Sequence, residues 1–360
     1  MKMERLKIAM MSMTHGHTRK YYDVLKNNPK LEWIAVSTEN AEVKKIFLDS
    51  VQGIPCYDSD EEMLNAHPEI EAVVIASANS RHYEQMKLCA ERKINILSMK
   101  IPTFDMEEYD KIEKLVKDND IICQIELECH YNPVTVRFKE LVKSGKMGKI
   151  YSFNARNTTL SPVWAFPWQG VPELSYGRRV RIKEGNDKFR GGALCDHPHI
   201  FDMIREVTGS EFDYVFAHVA PNIRHDIEEE DMLSVVGKMK NGVVFSLDPS
   251  WSNMEERLKV PGPGWEKYPK RMEVYMTANC EKGSVVTDLF GPNVYHNGAP
   301  NDRYTVQYTY FDEWVGLVDE FVENIRLHRT PKINLAWHKN TIRVMNAIYE
   351  SIETGKPVKL

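Results

Sequence analysis

Gly191-Gly192-Ala193-Leu194-Cys195-Asp196-His197-Pro198-His199, with Asp202 three residues on, gathers two acids and two imidazoles where a glycine turn meets an apolar run. Such a set suits acid/base chemistry, because a carboxylate can orient an imidazole whose proton exchanges near neutral pH. Paired glycines let the backbone pass close to a ligand, Asp196 is a good N-cap, and Pro198 suits a first helical turn. On this pattern His199 projects from turn one, and Asp196, His199 and Asp202, spaced by three, share one helix face. A capped helix with surface histidines is the alternative that these local residues leave open.

The elements that must position this cluster are legible in the hydrophobic periodicity. Up to about residue 125, short apolar runs (6–11, 31–36, 71–76, 94–98, 121–125) alternate with helical stretches at 18–26, 80–92 and 106–118. Alternation at this spacing predicts a parallel sheet with helices on both faces. After Pro133 a helix is expected to residue 144. Strands follow at 150–157, 214–219, 232–240, 243–249, 272–277 and 283–288, with Asn241-Gly242 as a hairpin turn between two of them. Strand runs with short turns predict a second, α+β domain built on an open, largely antiparallel sheet. The expected division is 1–127 and 128–360.

Residues 160–187, which include Trp164, Trp168, Arg178, Arg179 and Arg181, lack periodicity and read as a binding loop, as does Pro261-Gly262-Pro263-Gly264-Trp265. Helices at 313–329 and 335–354 precede a short tail.

Length and composition narrow the function. A chain of 360 residues, 42% apolar, exceeds one ordinary core. A net charge of −5 with scattered Lys and Arg leaves no basic stripe for nucleic acid. No apolar run approaches the ~20 residues of a membrane span, and Met1-Lys2-Met3-Glu4-Arg5 lacks the apolar stretch of a signal peptide. A cytoplasmic protein acting on a small molecule is expected. Cys56, Cys89, Cys123, Cys129, Cys195 and Cys280 form no CxxC pair, which points to reduced, buried thiols rather than a zinc knuckle or a disulfide framework.

Taken together, these pieces resemble the Gfo/Idh/MocA oxidoreductases, nearly end to end. Ala76-Ser77-Ala78-Asn79-Ser80-Arg81-His82 is similar to the family's strand-end loop over the cofactor. Ile96-Leu97-Ser98-Met99-Lys100-Ile101-Pro102 stands where the family carries Glu-Lys-Pro, with Met99 for the Glu and an inserted Ile101 but the lysine kept. Ser144-Gly145-Lys146-Met147-Gly148-Lys149-Ile150 resembles the link into the substrate domain, and residues 191–202 resemble the catalytic helix. The ending Glu350-Ser351-Ile352-Glu353-Thr354-Gly355-Lys356-Pro357-Val358 is also similar. The resemblance implies an N-terminal Rossmann dinucleotide-binding domain and hydride transfer between a nicotinamide and a secondary hydroxyl of a sugar, polyol or glycoside. It implies Lys100, Asp196 and His199 as catalytic residues, Asp196 lying one residue closer to the histidine than in the family, so that His197 is a candidate to share its role.

A dinucleotide fold wants a glycine-rich turn after its first strand, so that pyrophosphate can sit on a helix N-terminus. Here the turn is Ser12-Met13-Thr14-His15-Gly16-His17, in which Gly16 alone remains and Ser12 and Thr14 offer hydroxyls. The second strand ends in Val36-Ser37-Thr38-Glu39-Asn40, with Glu39 placed to hold the ribose diol beside Thr38. No Arg or Lys occurs from Ser37 to Val43, which favours NAD over NADP. Ser77, Asn79, His82 and Lys100 complete the expected cofactor set. His15, His17, His197 and His199 could ligate a metal, but the pairs fall in different expected domains, and no metal is expected.

For the chemistry, a lysine beside a cationic ring and partly desolvated has its pKa lowered, and a histidine already titrates near neutrality. His199 is expected as the base, oriented by Asp196 or Asp202, with Lys100 holding the oxygen; the exchanged assignment is the alternative. His130, Tyr131, Trp164 and His197 are the expected substrate contacts. Two other readings stand beside the dehydrogenase: a redox-neutral glycosidase or lyase that uses NAD transiently, and a non-catalytic binding protein. An open sheet needs covering, so a homo-oligomer is expected.

Overall fold

The computed structural model describes residues 4–159, 180–183, 186–188, 191–223, 230–252, 272–290, 293–298, 303–307 and 312–360. Trp164, Trp168, Arg178, Arg179 and the loop from Pro261 to Trp265 lie outside the described residues. The chain separates into two compact units: the residues up to Leu127 together with Phe166–Arg190 and Trp314–Lys339, and Glu128–Ala165 with Gly191–Glu313 and Asn340–Leu360.

The first unit is an alternating run: β1 (Leu6–Met11), α1 (Thr18–Asn27), β2 (Leu31–Ser37), α2 (Ala41–Ser50), β3 (Cys56–Tyr57), α3 (Asp60–Ala66), β4 (Ala72–Ile75), α4 (Asn79–Glu91), β5 (Asn95–Ser98), α5 (Met106–Asp118) and β6 (Cys123–Ile125). Its six strands are parallel in the order β3-β2-β1-β4-β5-β6. Ile8, Ala9, Met10, Val73, Val74, Ile75, Ile96 and Leu97 are wholly buried, the near-continuous apolar pattern of strands covered on both faces. Periodicity missed α2, β3 and α3, although Ser59-Asp60-Glu61-Glu62 carries a capping-box signal and Ser59 does accept from the Glu62 amide at 3.1 Å.

Residues 314–339 belong to this unit for a physical reason. Strand β6 is an edge, and an uncovered edge is a liability. The Ile125 amide donates to Ile333 O at 2.9 Å. Gln124 Nε2 donates to Leu317 O at 3.1 Å and accepts from Asn324 Nδ2 at 3.2 Å through Oε1. Leu317, Val318 and Phe321 are buried.

The second unit begins with a 3-10 turn, Glu128–Tyr131, followed by α6 (Pro133–Lys143) and β7 (Ile150–Thr159). Two short strands that belong to the first unit, β8 (Val180–Lys183) and β9 (Asn186–Lys188), pair antiparallel in the stretch expected to be irregular. Then come α7 (Ala193–Asp196), α8 (His199–Thr208), β10 (Phe212–Val219), β11 (Leu233–Met239), β12 (Val244–Asp248), β13 (Met272–Cys280), β14 (Gly283–Asp288), β15 (Asn293–Asn297) and β16 (Arg303–Gln307). Next in the chain come α9 (Glu313–Arg326), which from Trp314 onward belongs to the first unit, then α10 (Leu335–Thr354), which belongs to the second unit from Asn340, and β17 (Val358–Lys359).

Nine strands form one sheet, β16-β15-β14-β13-β7-β12-β11-β10-β17, antiparallel except for β12 beside β7. The terminal tail is thus a strand, Val358 opposite Val215 and Lys359 opposite Tyr214. Alternation is clear: Val215, Ala217, Val235, Leu247, Val274 and Met276 are buried, while Tyr214, His218, Ser234, Val236, Val244 and Ser246 face outward.

Gly237 sits on the buried face where β10 and β12 close in. A Cβ there would lie 2.2 Å from Tyr214 O and 2.7 Å from Phe245 Cζ. Gly237→Ala is expected to destabilise the protein by about 3 kcal/mol, read as a lowered urea midpoint; a change within about 0.5 kcal/mol would show that the sheet relaxes around the methyl.

Candidate functional site

At the carboxyl edge of the parallel sheet, β1 ends at Met11 and the chain turns through Ser12 with φ 50°. A left-handed residue bearing a Cβ costs roughly 1–2 kcal/mol, so side-chain and backbone ties must replace the freedom of glycine. The Ala76 amide donates to Met11 O at 2.9 Å and the His15 amide to Ala76 O at 3.1 Å. His17 is the N-cap of α1 and gives no side-chain cap. Its Nδ1 lies 2.9 Å from Glu126 Oε1, and the Tyr21 hydroxyl donates to Glu126 Oε2 at 3.0 Å. The His15 Nδ1 accepts from the His17 amide at 3.2 Å. Both imidazoles therefore brace the turn, and the His17 ring is committed to a fully buried acid.

A second tie joins four strand ends. Gln85 Nε2 donates to Asp60 Oδ2 at 2.6 Å and to Ser12 Oγ at 3.2 Å, while its Oε1 accepts from Ser77 Oγ at 2.5 Å. Ser37 Oγ donates to the other Asp60 oxygen at 2.5 Å. Asp60 and Gln85 escaped the sequence reading; the capping box at residues 59–62 was the available signal for the first. The Thr38 amide donates to Tyr57 O at 2.9 Å, and Asn40 caps α2 by accepting from the Val43 amide at 3.0 Å. Between them Glu39 is held at the end of β2, 2.5 Å from the Arg81 guanidinium. That cation comes from α4, outside the 37–43 stretch that lacks Arg and Lys.

Lys100 follows β5 by two residues and is 1% exposed. The Met99 amide donates to Ile75 O at 3.1 Å, and the Lys100–Ile101 peptide is cis. His82, expected as a cofactor contact, instead has Nδ1 2.8 Å from Ile101 O and Nε2 3.1 Å from Ser77 O. Burial holds its pKa below the usual value despite these carbonyls. A neutral ring carries one N–H, so His82 donates to only one of these two carbonyls at a time, Ile101 O being the nearer.

The donor set fits a dinucleotide. The strand order switches between β1 and β4, where sheets of this kind take a ligand, the turn and the N-terminus of α1 follow β1, and an acid, Glu39, follows β2. Ser12, Thr14 and Gly16 would line the pyrophosphate, Thr38 and Glu39 the ribose, and Asn79, which starts α4 and is 8% exposed, would stand with Ser77 at the β4 end.

In the second unit the glycine pair serves a different purpose from the one expected. A Cβ on Gly192 would lie 2.2 Å from Glu230 O, so the close approach is to the protein's own backbone. Ala193 donates to Glu230 O at 2.8 Å and Leu194 to Glu230 Oε1 at 3.3 Å, which caps α7. The predicted single helix is two: α7 ends at Asp196, His197 breaks the run, and Pro198 is the N-cap of α8. Asp196 is therefore not an N-cap and does not share a helix face with His199. Its Oδ2 accepts from Trp251 Nε1 at 2.9 Å and lies 3.4 Å from His197 Nε2. His197 donates through Nδ1 to Pro249 O at 2.9 Å.

His199, 5% exposed, opens α8 with Nε2 3.7 Å from Glu128 Oε1. Glu128 is the acid that sequence reading missed, because it stands on a distant turn. Asp202, expected to orient His199, is spent elsewhere: Oδ2 is 2.5 Å from His130 Nε2, and Oδ1 accepts from Thr341 Oγ1 at 3.1 Å and Arg205 Nη1 at 3.4 Å. His130 Nδ1 lies 2.6 Å from Glu206 Oε2. This histidine, expected to touch substrate, is instead buried between two carboxylates, next to the half-buried Tyr131. Burial alone pushes its pKa down, but Asp202 and Glu206 outweigh that and hold it above the usual value.

Residues 11–127 match the family described as "Oxidoreductase family, NAD-binding Rossmann fold", and residues 135–286 match the "GFO/IDH/MocA C-terminal domain". A myo-inositol 2-dehydrogenase of Thermotoga maritima is 24% identical over 312 residues, covering 84% of this chain and 83% of the relative. A D-xylose 1-dehydrogenase (NADP(+)) of Haloferax volcanii is 24% identical over 317 residues, 86% of each chain. Among solved structures, levoglucosan dehydrogenase in complex with NADH and levoglucosan superposes with a TM-score of 0.78 at 18% identity, covering 99% of this chain and 100% of that one, a likeness of fold.

The His130 clamp has a pH signature. Because the folded pKa is raised, its contribution is complete below the unfolded value of about 6.5 and is lost as pH rises through the folded pKa. Urea unfolding at successive pH values should show wild type losing up to about 1.4 kcal/mol per pH unit from this group. His130→Gln should be less stable by about 3 kcal/mol at pH 6 and lack that loss. Equal slopes for the two proteins would contradict the clamp.

Proposed function

The chain belongs to the Gfo/Idh/MocA family of oxidoreductases, and on that footing we propose that it oxidises a secondary hydroxyl of a sugar, polyol or glycoside with NAD as its coenzyme. Lys100 carries the proposal: an almost fully buried lysine at the end of a strand in a dinucleotide-type sheet. Burying such a cation is costly and is tolerated where it serves chemistry or pairing. The inositol and xylose dehydrogenases among the relatives support the substrate class.

NAD, when bound, supplies the hydride acceptor. The protein must then remove the hydroxyl proton and hold the oxygen. His199 is the proposed base, its Nε2 backed by Glu128, whose charge favours the imidazolium that forms. Lys100 is the proposed group on the oxygen, held in place through the His82 brace on Ile101. Asp196 is tied to Trp251 and close to His197, so its proposed part is to fix that pair and the start of α8.

The outer face of the nine-stranded sheet supports self-association. Tyr214, Val236 and Val244 are exposed on it, and a groove of about 670 Å³ lined by Asn154, Arg156, His218, Ser246 and Tyr275 opens there. A second copy of the chain is the proposed cover.

Absorbance at the reduced-nicotinamide band should rise on adding NAD with a polyol or sugar from a panel. Lys100→Met and His199→Ala should each lower turnover at least about 100-fold with unchanged circular dichroism; wild-type rates in both would remove the assignment. Steady-state NADH accumulation distinguishes net oxidation from a redox-neutral cycle. Light scattering should give an oligomer, and Val236→Glu should shift it towards monomer, whereas a monomeric wild type would dismiss the interface.

A further inference from the structure

Around the end of β2 the charges are arranged in a way that neither the family match nor the linear sequence assigns. Arg81, near the start of α4, places Nη1 2.5 Å from Glu39 Oε2 and Nη2 3.6 Å from Asp60 Oδ2. Asp60 is fixed by Ser37 and Gln85, and its side chain is 9% exposed, while those of Glu39 and Arg81 are 58% and 37% exposed. The guanidinium is thus paired with a buried, hydrogen-bonded acid and, more closely, with a solvent-facing one.

In a sheet of this order the end of β2 is where the adenosine ribose is read. Glu39 has one oxygen on Arg81 and a second available to a diol. A 2′-phosphate at the same place would meet the Glu39 charge directly, although an arginine, the side chain best shaped for phosphate, lies behind it.

We propose that Glu39 and Arg81 form a coenzyme selector, resting on the dinucleotide-binding reading above. NADP is refused because Glu39 masks an arginine already in position, and Arg81 is the specificity-determining cation that removal of Glu39 would expose. The pair explains NAD preference without requiring the β2 end to lack positive charge.

The test is fluorescence titration of the full chain with NADH and with NADPH, independent of turnover. Wild type should bind NADH more tightly. Glu39→Gln should weaken NADH and tighten NADPH, moving the ratio of the two constants at least about tenfold towards NADPH. Adding Arg81→Ala should return NADPH to within about threefold of its wild-type constant. An unmoved ratio in Glu39→Gln, a double variant that keeps the gain, or a wild type that prefers NADPH would each overturn the selector while leaving NAD(P) binding intact. A wild type that binds neither dinucleotide would instead overturn the functional reading, and the selector with it.

Discussion

A carboxylate taken out of water must be paired, and the second unit is arranged around two such acids. Asp202 is wholly buried and Glu206 nearly so. Between them stands His130, whose two ring nitrogens reach one acid each, while Arg205 adds Asp202, Thr341 and Glu211 to the same cluster. Lys139 brings α6 to Glu206 at 3.3 Å. The cluster therefore ties the Glu128–Tyr131 turn to α8, and that tie delivers Glu128 to His199. It also removes Asp202 from service: an acid clamped by an imidazolium and a guanidinium cannot orient a second ring. Breaking such a buried set costs more than any exposed pair contributes.

The first unit applies the same rule at its strand ends. Glu126 is held by His17 and Tyr21, and Asp60 by Ser37 and Gln85. These ties let a turn poor in glycine keep its shape, with Ser12 in the left-handed region and linked to Gln85. The scarcity of glycine in 12–17 is thus offset by side-chain ties. His82 extends the scheme to the Lys100 loop, its one N–H shared between the Ile101 and Ser77 carbonyls.

Much of this fold could be read from periodicity. The limits of β1, α5, β14 and α10 coincide with the expected ones, because each is long or strongly patterned and bounded by clear breakers. The short strands β3, β15, β16 and β17 were missed, since two to five residues hold too little pattern to declare a period. In the candidate site, the residue types at 191–202 suggested acid/base chemistry, yet the helix there breaks at His197 and Gly192 packs against Glu230. Glu128 and Arg81 had no local signature at all.

By itself the sequence determined the alternating first unit, the strand-rich second one, the family, and the identity of the titratable groups. Each of these follows from patterns over neighbouring residues or from side-chain chemistry. Only the tertiary structure decided which acid serves which base: Glu128 rather than Asp202 beside His199, His130 within a clamp rather than a cleft, and Arg81 against Glu39. Those pairings are settled by Coulomb attraction and hydrogen bonding across a few ångströms of folded space, and such distances are not encoded in the spacing of residues along a chain.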